Sequence, residues 1–302
     1  MYSLNFNFNY YALSITSFPS FFTISKGISQ SKNDIIYLSD GTKEVNVKEI
    51  GQSNIKYTHP GEEVIYTINK FLVTKVEFES GRVEKFNSPL KPIKNILDVE
   101  NVYITFNPDE MLGLHNLGSL FSKATGVTTL SSINNVNNRA LTKLKYEAAM
   151  LGANAIYIGN QYQRGNQYGN EYAPGNSTQT SYSGMAFSNE SLDLDEIEQV
   201  LINQKITPFQ KITLKRNGWS PNVSTISVIN EKGLREFVNI DKITREEDGI
   251  YVTIRDLRTK SNQLKVVKYD DNSIVLMERD GNGITNYQML TENHQFVKNR
   301  IN

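Results

Sequence analysis

The chain has 302 residues, and its 32 Lys and Arg balance 32 Asp and Glu, so the formal net charge is zero. A protein that works on nucleic acid or anionic lipid replaces counterions with Lys and Arg and carries a basic excess. None is present, and no nucleic-acid partner is expected. There are no cysteines and three histidines, His59, His115 and His294. That excludes disulfides, thiolate metal sites, Cys nucleophiles and lipids attached through Cys.

Residues 1–25 contain no charged side chain. The run from Tyr10 to Ile24 is apolar, hydroxyl-rich and broken by Pro19. A membrane-spanning helix needs about 20 mainly apolar residues, so no stable span is expected. The run reads as the core of an export signal, with small residues at Gly27 and Ser29 ahead of Gln30. No Lys or Arg precedes it and Lys26 sits near the cut, which leaves a polar, disordered tail over 1–32 as the alternative. A signal places the chain in the cell envelope (periplasmic or outer-membrane associated) or among secreted proteins, and a tail leaves it cytoplasmic. At roughly 100–200 residues per domain, the remainder should hold two or three.

Residues 33–90 read as short strands of period two. Ile36 and Leu38 alternate, and Asp40-Gly41 makes a hairpin turn. Val45 and Val47, Ile55 and Tyr57, then Val64, Tyr66 and Ile68 continue the inward face. Val76 and Phe78 follow, and Ser80-Gly81 turns the chain into Val83. Strands this short bury one face by curling into a small barrel, since an open sheet leaves its edges exposed. The D-I-I-Y-L-x-D-G opening at 34–41 and the Y-T-I-x-K turn at 66–70 resemble a module that follows the signal peptide in exported proteins of the Bacteroidota. The strand order resembles an Sm- or SH3-type barrel. These motifs imply structure and no chemistry.

Residues 98–190 read as a βαβ-like α+β unit. Val102 to Phe106 and Leu112 to Lys123 are strands. Asn134 to Leu151 is the one strong helix, capped by Asn134 or Asn135. Leu141, Leu144, Ala148 and Leu151 share a face, Ala140 and Ala149 let the helix lie close on a sheet, and Gly152 supplies the left-handed residue after it. Leu144→Asp is expected to unfold this unit and Lys143→Asp, taken to face water, to be nearly silent. Ala155 to Ile158 and Ser181 to Ser188 are further strands. The stretch 140–162, with Gly152-Ala153-Asn154-Ala155-Ile156 after Ala149, is similar to the YbjQ-like and RcsF-like envelope domains. Leu117-Gly118-Ser119-Leu120 and Gly184-Met185-Ala186-Phe187 sit where that family has its L-G-x-V and G-x-A-Y elements. The resemblance implies the α+β fold; a metal or disulfide is not implied, because Cys is absent and His115 is the only nearby imidazole. Gly152 and Asn154 could hold a small anion, but Gly for positive φ and Asn for turn bonding explain them better.

Between these strands, 159–182 repeats G-N-Q-Y at 159–162 and 165–168 and G-N-E-Y at 169–172. Tyrosine offers rigid, amphipathic contact area at low entropic cost. Tyr157, Tyr162, Tyr168, Tyr172 and Tyr182 are therefore candidate binding residues, with a solvated insertion as the alternative.

Residues 195–302 begin with an acidic connecting helix after Leu192. A β series follows through Ile212 and Leu214, Ile226 and Val228, Val238 and Ile240, Tyr251 to Ile254, Leu264 and Val266, and Ile274 to Leu276. Asp248-Gly249 and Asp280 to Gly283 mark hairpins. Six or more strands at this spacing indicate an antiparallel barrel or sandwich. Asp270-Asp271-Asn272 and Asp280-Gly281-Asn282-Gly283 lack the ligand pattern of a calcium loop and read as turns. The whole is mainly β with one α+β unit.

No catalytic constellation is visible. The histidines lie in separate segments, and no H-E-x-x-H, G-x-S-x-G or P-loop pattern occurs. No cofactor or metal is expected. The composition and resemblances point to a non-enzymatic envelope or secreted protein acting through protein contacts or self-association. The alternative is a small-ligand or carbohydrate-binding module using the Tyr-rich loop or the last β domain.

Overall fold

The computed structural model describes residues 33–127, 131–231 and 235–301. The expected signal or tail at 1–32 lies outside them. The fold is mainly β: three open sheets of six, four and seven strands, joined within one compact unit that spans residues 33–302. Among the described residues no helix is long and apolar enough to cross a membrane.

The first sheet contains β1 (Asp34–Leu38), β2 (Thr42–Ile50), β3 (Asn54–Thr58), β4 (Tyr66–Asn69), β5 (Val73–Glu77) and β6 (Val83–Lys85), in the order β4-β3-β2-β1-β5-β6. The Asp40-Gly41 turn forms as expected, with the Leu38 N–H donating to the Gly41 carbonyl at 2.8 Å. Alternation places Ile36, Val45, Ile55, Tyr57, Val73 and Val76 in one core. β2 pairs with β1 over its first half and with β3 over its second, with a bulge between Val47 and Glu49. A bulge sharpens twist and bend, so the sheet folds over its own core. It does not close into the expected barrel: β4 and β6 remain its two edges. β6 is three residues long and β4 is four, too short to complete a wall. Val64 and Tyr66, expected inside, are exposed on the β4 side.

The second sheet contains β7 (Tyr103–Thr105), β8 (His115–Thr125), β9 (Ala155–Arg164) and β10 (Gln179–Ser188), with helix α1 (Ile133–Met150) between β8 and β9. The order is β7-β9-β10-β8; β7 is parallel to β9, and β10 is antiparallel to both neighbours. β8 and β9 therefore run parallel with α1 as their crossover and β10 inserted between them, a split βαβ unit. Val136, Ala140, Leu144 and Ala148 are fully buried along one stripe of α1. The helix starts earlier than expected, so its cap is Ser132 rather than Asn134 or Asn135, and the Ser132 side chain makes no capping bond. Gly152 follows with φ +84°, the left-handed conformation that glycine adopts without strain.

Helix α2 (Leu194–Asn203), capped by Asp193 accepting from the Asp195 and Glu196 N–H groups, leads into the third sheet. Its strands are β11 (Ile206–Lys215), β12 (Asn222–Thr225), β13 (Lys242–Glu246), β14 (Gly249–Thr253), β15 (Leu264–Asp270), β16 (Ser273–Asp280) and β17 (Gly283–Thr291), followed by α3 (Gln295–Ile301). The order β12-β11-β17-β16-β15-β14-β13 is antiparallel and open, without the closure of a barrel. Ile226, Val228, Val238 and Ile240 were expected on strands. Among the described residues that stretch instead forms the isolated bridges Ile206–Val238 and Ile229–Arg235. β12 covers β11 only from Gln210 to Thr213 on that side, and Val238 meets the short stretch left at the start of β11, its N–H donating to the Ile206 carbonyl at 2.8 Å. The apolar side chains of 226–240 still cover the sheet beside α2, and Val238 is buried.

Candidate functional site: a cleft between the helix and the third sheet

The third sheet and α1 share one core. Ile212, Leu214, Met277 and Ile284 pack in the same cluster as Val136, Leu144 and Ala148. Polar contacts complete the junction. The Asn286 amide donates to the Met150 carbonyl at 3.0 Å, which satisfies one of the open carbonyls at the helix C-terminus. Gly152 is required for a second reason: a Cβ there would lie 2.8 Å from the Val267 carbonyl oxygen. Lys143, expected to face water, instead donates to the carbonyl of Arg216 in the turn after β11. Burial pulls its ammonium pKa below the ordinary value.

The same junction covers the free edge of β8. Unpaired edge groups invite foreign strands. Here Arg279 donates to the Ser119 carbonyl at 3.2 Å, Glu147 accepts the Phe121 N–H, and Arg139 donates to the Thr125 carbonyl at 3.2 Å. Arg279 also holds Glu147 at 2.8 Å. Burial nevertheless leaves the Glu147 pKa raised, with Arg279 and Lys143 opposing the shift.

Beside this contact a cleft of about 930 Å³ opens between the third sheet, the end of α1 and the segment 93–96. Ligand sites of this size are commonly found where layers or domains meet. Ile93, Ile96, Leu117, Leu151 and Val267 give it apolar walls, while Asn286, Gln288, Asn116 and His115 supply polar groups. Lys268 fixes one wall by donating to the Ile93 carbonyl at 2.8 Å. At the rim, Lys265 bonds Asp248 at 2.7 Å, and this bond is the main reason the Asp248 carboxyl sits below its ordinary pKa. Tyr251 donates to the same carboxylate; burial first, and then Asp248, push its phenol to about 12. Asn286 is 1% exposed, and its Oδ1 is buried without a hydrogen-bond partner among the described residues. A buried acceptor left unpaired costs about 1–3 kcal/mol, and native structures carry few of them.

The five candidate tyrosines do not converge. β9 and β10 extend further than expected, to Arg164 and from Gln179, so the Tyr-rich stretch is largely a hairpin. Its tip carries the bridges Gln167–Asn176 and Asn170–Ala173. Tyr182 is buried on the helix side and donates to Asn137. Tyr157 packs with Tyr103, Phe187 and Leu114 on the opposite face. Tyr162, Tyr168 and Tyr172 are exposed along the hairpin, Tyr172 at 91%.

The remaining sequence candidates take structural roles. Asn154 is buried, donates to the Lys91 carbonyl at 3.1 Å and accepts from the Asn189 N–H, as turn bonding requires. Asp270 accepts from the Asn272 and Ser273 N–H groups, and Asp280 from that of Asn282. His59 packs against Tyr57 and Tyr66, and His294 Nδ1 accepts from the Phe296 N–H at the start of α3. Of the histidines, His115 alone lines the cleft. Among the described residues no group of three or more His, Asp or Glu is placed to hold a metal. No local pattern marks the cleft, because its walls come from several separate segments spread between Ile93 and Gln288. Comparison with protein-family models, curated proteins and solved structures returns no match for this chain.

Proposed function

We propose that this chain is a non-enzymatic binding protein of the cell envelope or secreted fraction that holds a small amphipathic ligand between α1 and the third sheet. The observation that carries the reading is the cleft of about 930 Å³, whose apolar walls are interrupted by Asn286, Gln288, Asn116 and His115. A ligand that buries apolar surface against these walls and bonds the polar side chains between them would match the cleft. The envelope location is supported by the signal-like N-terminus and the resemblances of residues 33–90 and 98–190.

Native mass spectrometry on the full chain purified from its host tests the binding. A bound organic mass, lost in Leu192→Trp, which narrows the cleft at its rim, is the expected result. Protein free of any added mass, with an unfolding midpoint unmoved by a panel of amphipathic compounds, would overturn it. Protein contact is a second reading, favoured by the exposure of Tyr168 and Tyr172 on a hairpin that reaches past the sheet.

A further inference from the structure

A second cleft lies on the other side of the same junction, where β8, α1, the end of β11 and the β16–β17 turn meet. Its volume is about 700 Å³. The chain as a whole is neutral, yet five cationic side chains line this cleft against two carboxylates. The cations come from four elements or their ends: Lys123 from β8, Lys143 from α1, Lys215 and Arg216 from β11 and its turn, and Arg279 from β16.

The two carboxylates are already engaged. Glu147 is held by Arg279 at 2.8 Å, and Asp280 by Lys260 at 2.9 Å. Lys123, Lys143, Lys215 and Arg216 have no carboxylate within ion-pair distance among the described residues. Glu147 offsets part of the Lys143 charge, but five cations against two carboxylates leave a positive excess, and a site walled by protein strengthens its field on any anion that enters. Lys143 is in addition partly desolvated against the Arg216 carbonyl, so an anion there would recover interaction that water supplies only in part. Ammonium groups and a guanidinium on facing walls match a ligand with several anionic oxygens better than a single carboxylate.

We propose that this cleft binds a soluble small molecule carrying two or more linked phosphate groups. It is separate from the amphipathic cleft and independent of it.

The structure supplies its own reporter. Trp219 is the chain's single tryptophan, it lines this cleft, and the Arg139 guanidinium stands 3.7 Å over its ring. An anion that draws on these cations changes the surroundings of that ring, so tryptophan emission reads this site alone. The experiment titrates inorganic triphosphate into the full chain at constant ionic strength, following emission. Parallel titrations use adenosine triphosphate, which adds a base and sugar to the same phosphates, and sulfate, which has one anionic centre.

A saturable change with triphosphate, at least about tenfold weaker in the Lys215→Glu/Arg216→Glu double variant, is expected. Both of those side chains are exposed, and an unchanged unfolding midpoint shows that the variant is folded. Tighter binding of adenosine triphosphate would support the proposal and assign a nucleotide; equal binding would support it and assign the phosphates alone. A response matched by sulfate, no saturable response, or a double variant that binds as well as the parent would overturn it.

Discussion

The first and third sheets are built from the same kind of sequence, short alternating strands with Asp-Gly turns, yet they are stabilised differently. The first encloses its core with its own residues: Ile36, Val45, Ile55, Tyr57, Val73 and Val76 pack together, joined at the edges by Leu38, Ile50 and Phe86. The third cannot do so. One face takes α2 and Val238, and the other shares its core with α1 of the preceding unit. A sheet covered from within can be read strand by strand, whereas one buried on both faces depends on what another part of the chain brings to it.

The strongest way to break this comparison is to strike the shared core. Leu144 is fully buried between α1 and both of its sheets. Leu144→Asp places an unpaired charge there and should cost more than about 4 kcal/mol. Hydrogen exchange on the full chain should show the second and third sheets losing protection together while β1, β2 and β5 keep theirs. Loss confined to the second sheet would mean that the junction is not cooperative. The converse substitution, Ile36→Ala, empties a fully buried site in the self-covered core and should cost about 2–5 kcal/mol. Its exchange should rise in the first sheet alone.

Gly152→Ala probes the junction without touching apolar contacts. The added methyl meets a backbone at φ +84° and a carbonyl oxygen at 2.8 Å. The expected cost is about 1–3 kcal/mol, measured as a lower denaturant midpoint with little change in slope. A smaller and pH-dependent effect belongs to Glu147. Its folded pKa is raised above 4.5, so the native state binds the proton more tightly than the unfolded chain. That contribution is present below the unfolded pKa and is lost as pH rises through the folded value. Glu147→Gln has no such titration. Its stability relative to the parent should therefore improve between pH 4.5 and 7, and a difference that falls over this range would show that Arg279 outweighs burial.

How far the molecule could be read from its residues follows the same division. The hairpin turns at Asp40-Gly41, Asp248-Gly249 and Asp280 to Gly283, the buried stripe of α1 and the left-handed Gly152 are local features, and each is where periodicity and turn chemistry place it. β17 was not visible as a strand because Ile284, Thr285, Asn286 and Tyr287 are all buried in succession, which erases alternation. Lys143 looked solvent-facing because nothing in α1 shows that a third sheet approaches. Both clefts are hidden for that reason: their walls assemble only when α1 and the third sheet meet. The tyrosine repeats were conspicuous in sequence, but strand register separates them, burying Tyr182 and leaving Tyr172 in solvent.

That separation sets the smallest expected effect. Replacing residues 166–177 by Asn-Gly, a dipeptide suited to a two-residue hairpin turn, removes Tyr168 and Tyr172 but keeps Tyr162 and Tyr182. It also keeps Thr178, whose hydroxyl donates to the Ser131 carbonyl at 3.1 Å and whose carbonyl accepts from the Gly126 N–H. The excised residues contribute nothing to the four apolar clusters, so stability should change by less than about 0.5 kcal/mol. A drop of several degrees in the unfolding midpoint would show that the tip supports the sheet after all. With stability preserved, capture of a host envelope protein by the parent chain and not by the trimmed one would give the exposed tyrosines a function of their own, whereas equal capture would leave recognition to the body of the protein.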